Sequence, residues 1–400
     1  MNARSIVLLF AVLLAASVAA QTSPQAVGLP PMGWNSWNWF GKQEIHEGIV
    51  QGVIDAMATS GLKEAGYEYV VIDGGWRNKD LGPDNELLPD PDKFPHGIKA
   101  LADRAHSHGL KLGLHTVPGT HDCGGDKVGG YGHEQTHVRQ FVEWGVDFIK
   151  LDQCTLQLTG GWNEELTQEV YTNWHRLVGE CGRDIVLSIS AYRFRAWYPA
   201  VCRMARTTPD ISCRKYRGAN FDRTPQGVMP IALLNDKSAA FAGKGYWNDP
   251  DILVVGEQGL NPAEQQTHFA LWCIMTAPLM LGNDPRNMRP NEKAILLNRE
   301  CIAVDQDPTE QGRRVKVDGD IEIWAKHLAA GRMAALLINR HATEAKMASV
   351  AWQNVGLSGI IQVRDIYQNK DLGAFGEMFQ TEIAPHGCAF LRLAPESVGK

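Results

Sequence analysis

Gly145-Val146-Asp147-Phe148-Ile149-Lys150-Leu151-Asp152 is the stretch on which the fold turns. Its short apolar run is interrupted by one charge and ended by another. Short continuous apolar runs fit strands buried on both faces, as in a parallel sheet covered by helices. At the strand period of two, Lys150 and Asp152 project to the same side. A charge within such a strand needs a partner or a polar pocket.

The same design recurs outward along the chain. Tyr69-Val70-Val71-Ile72 stops at Asp73, Lys111-Leu112-Gly113-Leu114 stops at His115, and residues 185–189 stop at Ser190. Another short run ends near Arg206, two more cover residues 249–253 and 277–281, and one near Met32 opens the series. Helical patterns over residues 45–60, 98–109 and 135–144 lie between several of them. About eight strands alternating with crossover helices predict a (β/α)8 TIM barrel over residues 21–312, not an open doubly wound sheet. In a barrel the strand ends share one rim, so Asp73, His115, Asp152 and Ser190 would converge on a single pocket. Read singly, each of them also suits a helix cap or a turn. Beyond Gly312 the pattern becomes alternating, as in Ile321-Glu322-Ile323-Trp324, with turn signals at Asp318-Gly319 and Ala330-Gly331. Residues 313–400 are therefore expected to form a C-terminal antiparallel β-sandwich domain.

Composition narrows the function. The 400 residues are 44% hydrophobic, enough for a full core, and 39 Lys and Arg face 45 Asp and Glu for a net charge of -6. Without a basic run or stripe, nucleic acid is not an expected partner. No Gly-x-Gly-x-x-Gly follows the first strand and no phosphate loop is present, so no nucleotide cofactor is expected. The 12 Trp suit core filling or stacking on sugar rings. Residues 1–20 read as a signal peptide: Arg4, an apolar run over 6–16, then small residues with cleavage after Ala20. The run is too short to span a bilayer, though it also suits an anchor. A secreted or periplasmic protein with no membrane span in its mature chain is the expectation. The eight cysteines all follow this segment and lack zinc-ligand spacing, so a few disulfides with buried free thiols, and no metal, are expected.

Cleaving a glycosidic bond takes two carboxylates placed across it. Asp152 is the best nucleophile candidate, because the Lys150 ammonium beside it favours the carboxylate and suits a sugar hydroxyl. Alone, such a pair is more often a salt bridge. Asp210, in Arg206-Thr207-Thr208-Pro209-Asp210-Ile211, is either the matching acid or the cap of a helix beginning there.

Pro31-Met32-Gly33-Trp34-Asn35-Ser36-Trp37 resembles the opening of glycoside hydrolase family 27, the α-galactosidase and α-N-acetylgalactosaminidase (melibiase-like) family. Asp73-Gly74-Gly75-Trp76, Phe94-Pro95-His96-Gly97, the stretch ending in Asp152, Trp247-Asn248-Asp249-Pro250-Asp251, Ala277-Pro278-Leu279, Asn283-Asp284 and Asp305-Gln306-Asp307-Pro308 continue the likeness in order. It runs from about residue 29 to the C-terminus. The resemblance implies a barrel with a C-terminal β domain and a retaining exo-acting α-glycosidase that needs no cofactor. It assigns Asp152 as nucleophile and Asp210 as general acid/base. It matches Trp37, Asp73, Lys150 and Arg206 to substrate-binding positions, and Cys123 with Cys154 to a disulfide beside the nucleophile.

Three departures bear on the sugar. The α-galactosidase pattern has two adjacent aspartates where this chain has Asp73-Gly74. Losing one charged hydrogen bond to a buried hydroxyl costs roughly 2 to 3 kcal/mol, tens- to hundreds-fold in discrimination. His115 stands for the usual Tyr. The fifth-strand Cys-Glu-Trp is replaced by Ile189-Ser190-Ala191, with Arg193 close behind, so Ser190 and Arg193 join His115 as candidate substrate contacts. With Ile189 at the Cys position, the resemblance leaves Cys202 without its family partner, for which Cys181 and Cys213 are the candidate replacements. The reading is an α-galactosidase acting on an oligosaccharide or polysaccharide. Its alternatives are the same mechanism on an α-N-acetylgalactosaminide, a β-L-arabinopyranoside, or an acidic or sulfated α-glycoside, and a non-catalytic carbohydrate-binding protein.

Overall fold

The computed structural model describes residues 28–161, 163–216 and 218–396; the expected signal peptide lies outside them. Eight short strands form the N-terminal sheet: β1 (Met32–Asn35), β2 (Tyr69–Ile72), β3 (Lys111–Thr116), β4 (Phe148–Asp152), β5 (Val186–Ser190), β6 (Met204–Arg206), β7 (Trp247–Asp249) and β8 (Leu279–Leu281). They pair in parallel in the order β7-β6-β5-β4-β3-β2-β1-β8. The seam between β7 and β8 is closed by the chain just after β7: Leu253 bridges Leu281 and its N–H donates to the Met280 carbonyl at 2.7 Å. With helices between the strands, this is the expected (β/α)8 barrel. Two segments differ from the sequence expectation. The seventh strand lies at Trp247–Asp249, and residues 250–253 form the seam instead of a strand. β3 runs on to Thr116, so His115 is inside it.

The barrel interior is filled from below. Tyr69, Val71, Phe148, Val186, Met204, Ile252 and Met280 form one buried cluster, with the Tyr69 and Phe148 rings 5.5 Å apart. Neighbouring strands make room with glycine: a Cβ on Gly33 would lie 2.4 Å from the Tyr69 carbonyl oxygen, and one on Gly113 2.9 Å from Phe148 Cβ. Two residues further along each strand, at the same parity, stand Asp73, His115, Lys150 and Arg206. Period-two geometry thus lays a polar layer on an apolar floor.

The C-terminal domain is an antiparallel sandwich. Strands β9 (Arg313–Asp318), β10 (Ile321–His327), β11 (Met333–Asn339), β12 (Lys346–Ala351), β13 (Ile361–Asp365), β14 (Lys370–Phe375), β15 (Met378–Ile383) and β16 (Cys388–Pro395) make a six-stranded sheet, β14-β13-β16-β11-β10-β9, and a β12-β15 pair. β11 explains the unbroken apolar run at 333–338. Met333, Ala335 and Leu337 enter the sandwich core, while Ala334, Leu336 and Ile338 join the core shared with the barrel. The helix Pro262–Ile274 packs against that second face. Its start is fixed by a capping box in which Asn261 and Glu264 satisfy each other's backbone N–H groups.

Candidate active site

The polar strand ends meet in a cavity of about 280 Å³ at the C-terminal rim of the barrel. Its lining brings together Trp37, Asp73, His115, Lys150, Asp152, Arg206 and Asp210 from five separate stretches of chain. Strand register does much of this work: His115 stands opposite Lys150, and Arg206 opposite Asp249.

Asp73 follows β2 and is buried. It accepts hydrogen bonds from Lys150 Nζ at 2.7 Å and from the Asn35 amide at 2.9 Å. Burial alone would raise its carboxyl, but the Lys150 ammonium and His115 outweigh that and hold it well below the usual carboxylate range. Burial pulls Lys150 the opposite way, yet Asp73 and Asp152 push it above the ordinary lysine value. Lys150 Nζ is 3.8 Å from Asp152 Oδ2, so one ammonium serves both carboxylates. Burial drives the His115 imidazole down to about 4 despite Asp73 and Asp152 nearby, which leaves it neutral above that pH.

Asp152 closes β4 with its side chain 9% exposed. Its Oδ1 accepts from the Tyr192 hydroxyl at 2.8 Å and the Cys154 N–H at 3.1 Å. His115 Nε2 lies 3.8 Å from its Oδ2. Cys123 and Cys154 form a disulfide beside it, as the resemblance implies. His115, Cys123, Asp152 and Cys154 bring donor atoms within 4.8 Å of one another, but both sulfurs are committed to the disulfide, leaving only an imidazole and a carboxylate for a cation.

Asp210 lies on the loop after β6 and does not cap a helix; its side chain is 41% exposed. Arg206 is buried and donates to Asp210 at 2.9 Å, to Asp251 at 2.8 Å and to the Thr208 carbonyl at 3.2 Å. Burial pushes the Asp251 carboxyl up, to about 7, against the opposing pull of Arg206. Behind this loop the buried Glu257 accepts from the Arg214 N–H. Burial drives its carboxyl up to about 8 from 4.5. The folded chain then holds a proton that the unfolded chain releases above about 4.5, so this group costs stability as pH rises from there to about 8. Glu257→Gln mimics the protonated form. Its melting temperature relative to the wild type is expected to rise by a few degrees between about pH 5 and pH 8, reflecting roughly 3 kcal/mol. Parallel melting curves for the two proteins at both pH values check this.

Two expected contacts are not in the cavity lining. Arg193 is 67% exposed and pairs outward with Glu164 at 3.0 Å. Ser190 stands beside Asp152 in register but is buried, with its hydroxyl lacking a hydrogen-bond partner. Between them lies the residue that sequence reasoning passed over. Tyr192 has a left-handed backbone (φ 59°), and its hydroxyl reaches the Asp152 carboxylate. Strand alternation ends at Ser190, so parity gave no guide to the side chain two residues on. Asp251 ends the motif Trp247-Asn248-Asp249-Pro250-Asp251, but its grip on Arg206 depends on the chain bending after β7. Cys181, Cys202 and Cys213 are all free thiols, so neither expected partner replaces the missing one for Cys202; its sulfur donates to the Tyr198 carbonyl instead.

The profile of the α-galactosidase A family matches residues 29–307, and that of the α-galactosidase C-terminal β-sandwich domain matches residues 318–393. A rice (Oryza sativa subsp. japonica) α-galactosidase is 37% identical over 372 residues, 92% of this chain and 85% of the rice protein. The chicken (Gallus gallus) α-N-acetylgalactosaminidase is 32% identical over 393 residues, 92% of this chain and 94% of its own. Among solved structures, α-galactosidase I from Mortierella vinacea superposes with a TM-score of 0.87 at 30% identity, covering 94% of this chain and 100% of that one. Sequence order, barrel, sandwich and a rim pocket carrying two separately held aspartates all agree, and the chain belongs to the α-galactosidase family, glycoside hydrolase family 27.

Proposed function

We propose that the protein is a retaining exo-acting α-glycosidase that removes terminal α-linked galactose-type sugars from an oligosaccharide or polysaccharide. The observation that carries this reading is the placing of the two aspartates. Asp152 lies deep in a pocket with an apolar floor and room for about one sugar ring, while Asp210 stands at its open side. A pocket closed at one end admits a chain terminus, not a chain interior.

In this reading Asp152 attacks the anomeric carbon and forms a glycosyl ester as the C1–O bond breaks. Asp210 gives its proton to the departing oxygen, then takes one from the water that cleaves the ester. Arg206 aims Asp210 through a direct hydrogen bond, and the Tyr192 hydroxyl and Cys154 N–H fix the Asp152 carboxylate. Lys150 and Asp73 hold hydroxyls at the far side of the ring, and Trp37 forms one wall. The N-terminal apolar segment supports a secreted or periplasmic location.

Initial rates on aryl glycosides test the reading. Turnover of galacto-configured α-glycosides, with little on the α-glucoside, is the expected result. Turnover of α-glucosides alone, or binding without any turnover, would overturn it.

A further inference from the structure

The end of the pocket away from Asp152 carries more positive charge than a neutral sugar needs. Gly74 follows Asp73 where the family pattern has a second aspartate, and a Cβ there would meet only the Trp37 ring edge, at 3.4 Å. Over that same ring, 3.3 Å from its centroid, sits Lys215 Nζ. Lys42 lines the cavity beside Gly74, with its Nζ 3.5 Å from where a Gly124 Cβ would stand. Among the described residues neither lysine makes an ion pair. Asp73 is already engaged by Lys150, and Asp122 lies 3.8 Å from Arg77. Glu44, the next carboxylate out, faces Arg214 at 4.0 Å. At this end Lys42, Arg77 and Lys150 line the cavity and Lys215 stands over Trp37. They stand against the lining carboxylates Asp73 and Asp122, with Lys150 also shared with Asp152, and with Glu44 and Asp126 further out. Burial, aided by the like charge of Lys42 and opposed by Asp73 and Glu44, depresses the Lys215 ammonium below its ordinary value.

We propose that the sugar in this pocket carries an anionic group on its exocyclic carbon, a sulfate ester or a carboxylate, held by Lys215 and Lys42 in the space opened by Gly74. This rests on the glycosidase reading and sharpens its substrate class. With the anomeric carbon at Asp152, the edge of a hexopyranose nearest Asp73 is the one bearing C4 and the exocyclic C6. Where the family pattern would place a carboxylate to accept from a neutral hydroxyl, this chain presents an opening flanked by ammonium groups, and anions pair with cations there at little steric cost.

Three substrates with one leaving group decide it: the aryl α-galactoside, its 6-sulfate and the aryl α-galacturonide. The expected result is a kcat/KM at least about tenfold higher for one anionic substrate than for the neutral one, carried mainly by KM and shrinking as salt is added. The two anionic arms tell sulfate from carboxylate. Lys215→Met and Lys42→Met are each expected to reduce that ratio, and Gly74→Asp to reverse it. A preference for the neutral galactoside, or a ratio indifferent to both lysine variants, would overturn the proposal while leaving the glycosidase reading intact. If no substrate turns over, that reading itself fails. Calorimetric binding to the Asp152→Asn protein then still decides the charge preference: galactose 6-sulfate or galacturonate tighter than galactose supports it, and equal or weaker binding of both overturns it.

Discussion

Asp152→Ala is expected to lower kcat on an aryl α-galactoside, or on the anionic analogue if that is preferred, by about 10⁴-fold or more, because it removes the carboxylate proposed to form the glycosyl ester. The loss alone does not fix the role, so the product made with added azide is the decisive readout. With the carboxylate removed, azide enters the vacated space and displaces the aryl group in one step from that face, giving the β-glycosyl azide. The C1–N bond forms as the C1–O bond breaks and the aryl oxide leaves. Trapping of an α-azide by this variant would show that the nucleophile is elsewhere. The fold should survive the change: Asp73 still pairs with Lys150, so that ammonium is not left buried without a counter-charge. A melting temperature close to that of the wild type would separate chemistry from unfolding.

The second large effect concerns the other aspartate and depends on the leaving group. Asp210→Ala is expected to cost about 10³-fold to 10⁴-fold in kcat/KM on an alkyl or sugar aglycone, which leaves only with a proton. On a dinitrophenyl glycoside, whose aglycone leaves as a stable anion, the cost in the first step should be within about tenfold. The glycosyl-enzyme then accumulates because no base activates water. Azide intercepts it from the side opposite Asp152 and yields the α-azide, so the two variants give opposite anomers. Equal losses on both leaving groups would instead assign Asp210 a binding role. Removal of Asp210 also frees one end of the buried Arg206, which keeps Asp251 and the Thr208 carbonyl. The variant should therefore remain folded.

Much of this architecture was legible without coordinates. Repeated apolar runs ended by Asp73, Asp152 and Arg206 determine buried parallel strands with polar ends. A barrel then forces those ends together, because parallel strands share one C-terminal rim. Lys150 and Asp152 were readable as same-side neighbours by period two alone, and the sandwich by its alternation. The disulfide between Cys123 and Cys154 was not derivable from spacing and entered only through resemblance.

What tertiary structure alone decided lies where the chain leaves its strands. Arg193 and Tyr192 are adjacent in sequence, yet Arg193 turns out to Glu164 while Tyr192, on a left-handed backbone beyond the end of the strand, turns in to Asp152. Asp251 reaches Arg206, Lys42 reaches the cavity beside Gly74 and Lys215 reaches the Trp37 ring, across sequence separations that no local pattern encodes. Local propensity and alternation act over a few residues and determine the scaffold with its polar rim. Which loop side chains fill that rim depends on contacts between distant segments, so the charge at the far end of the pocket emerges only once the barrel is closed.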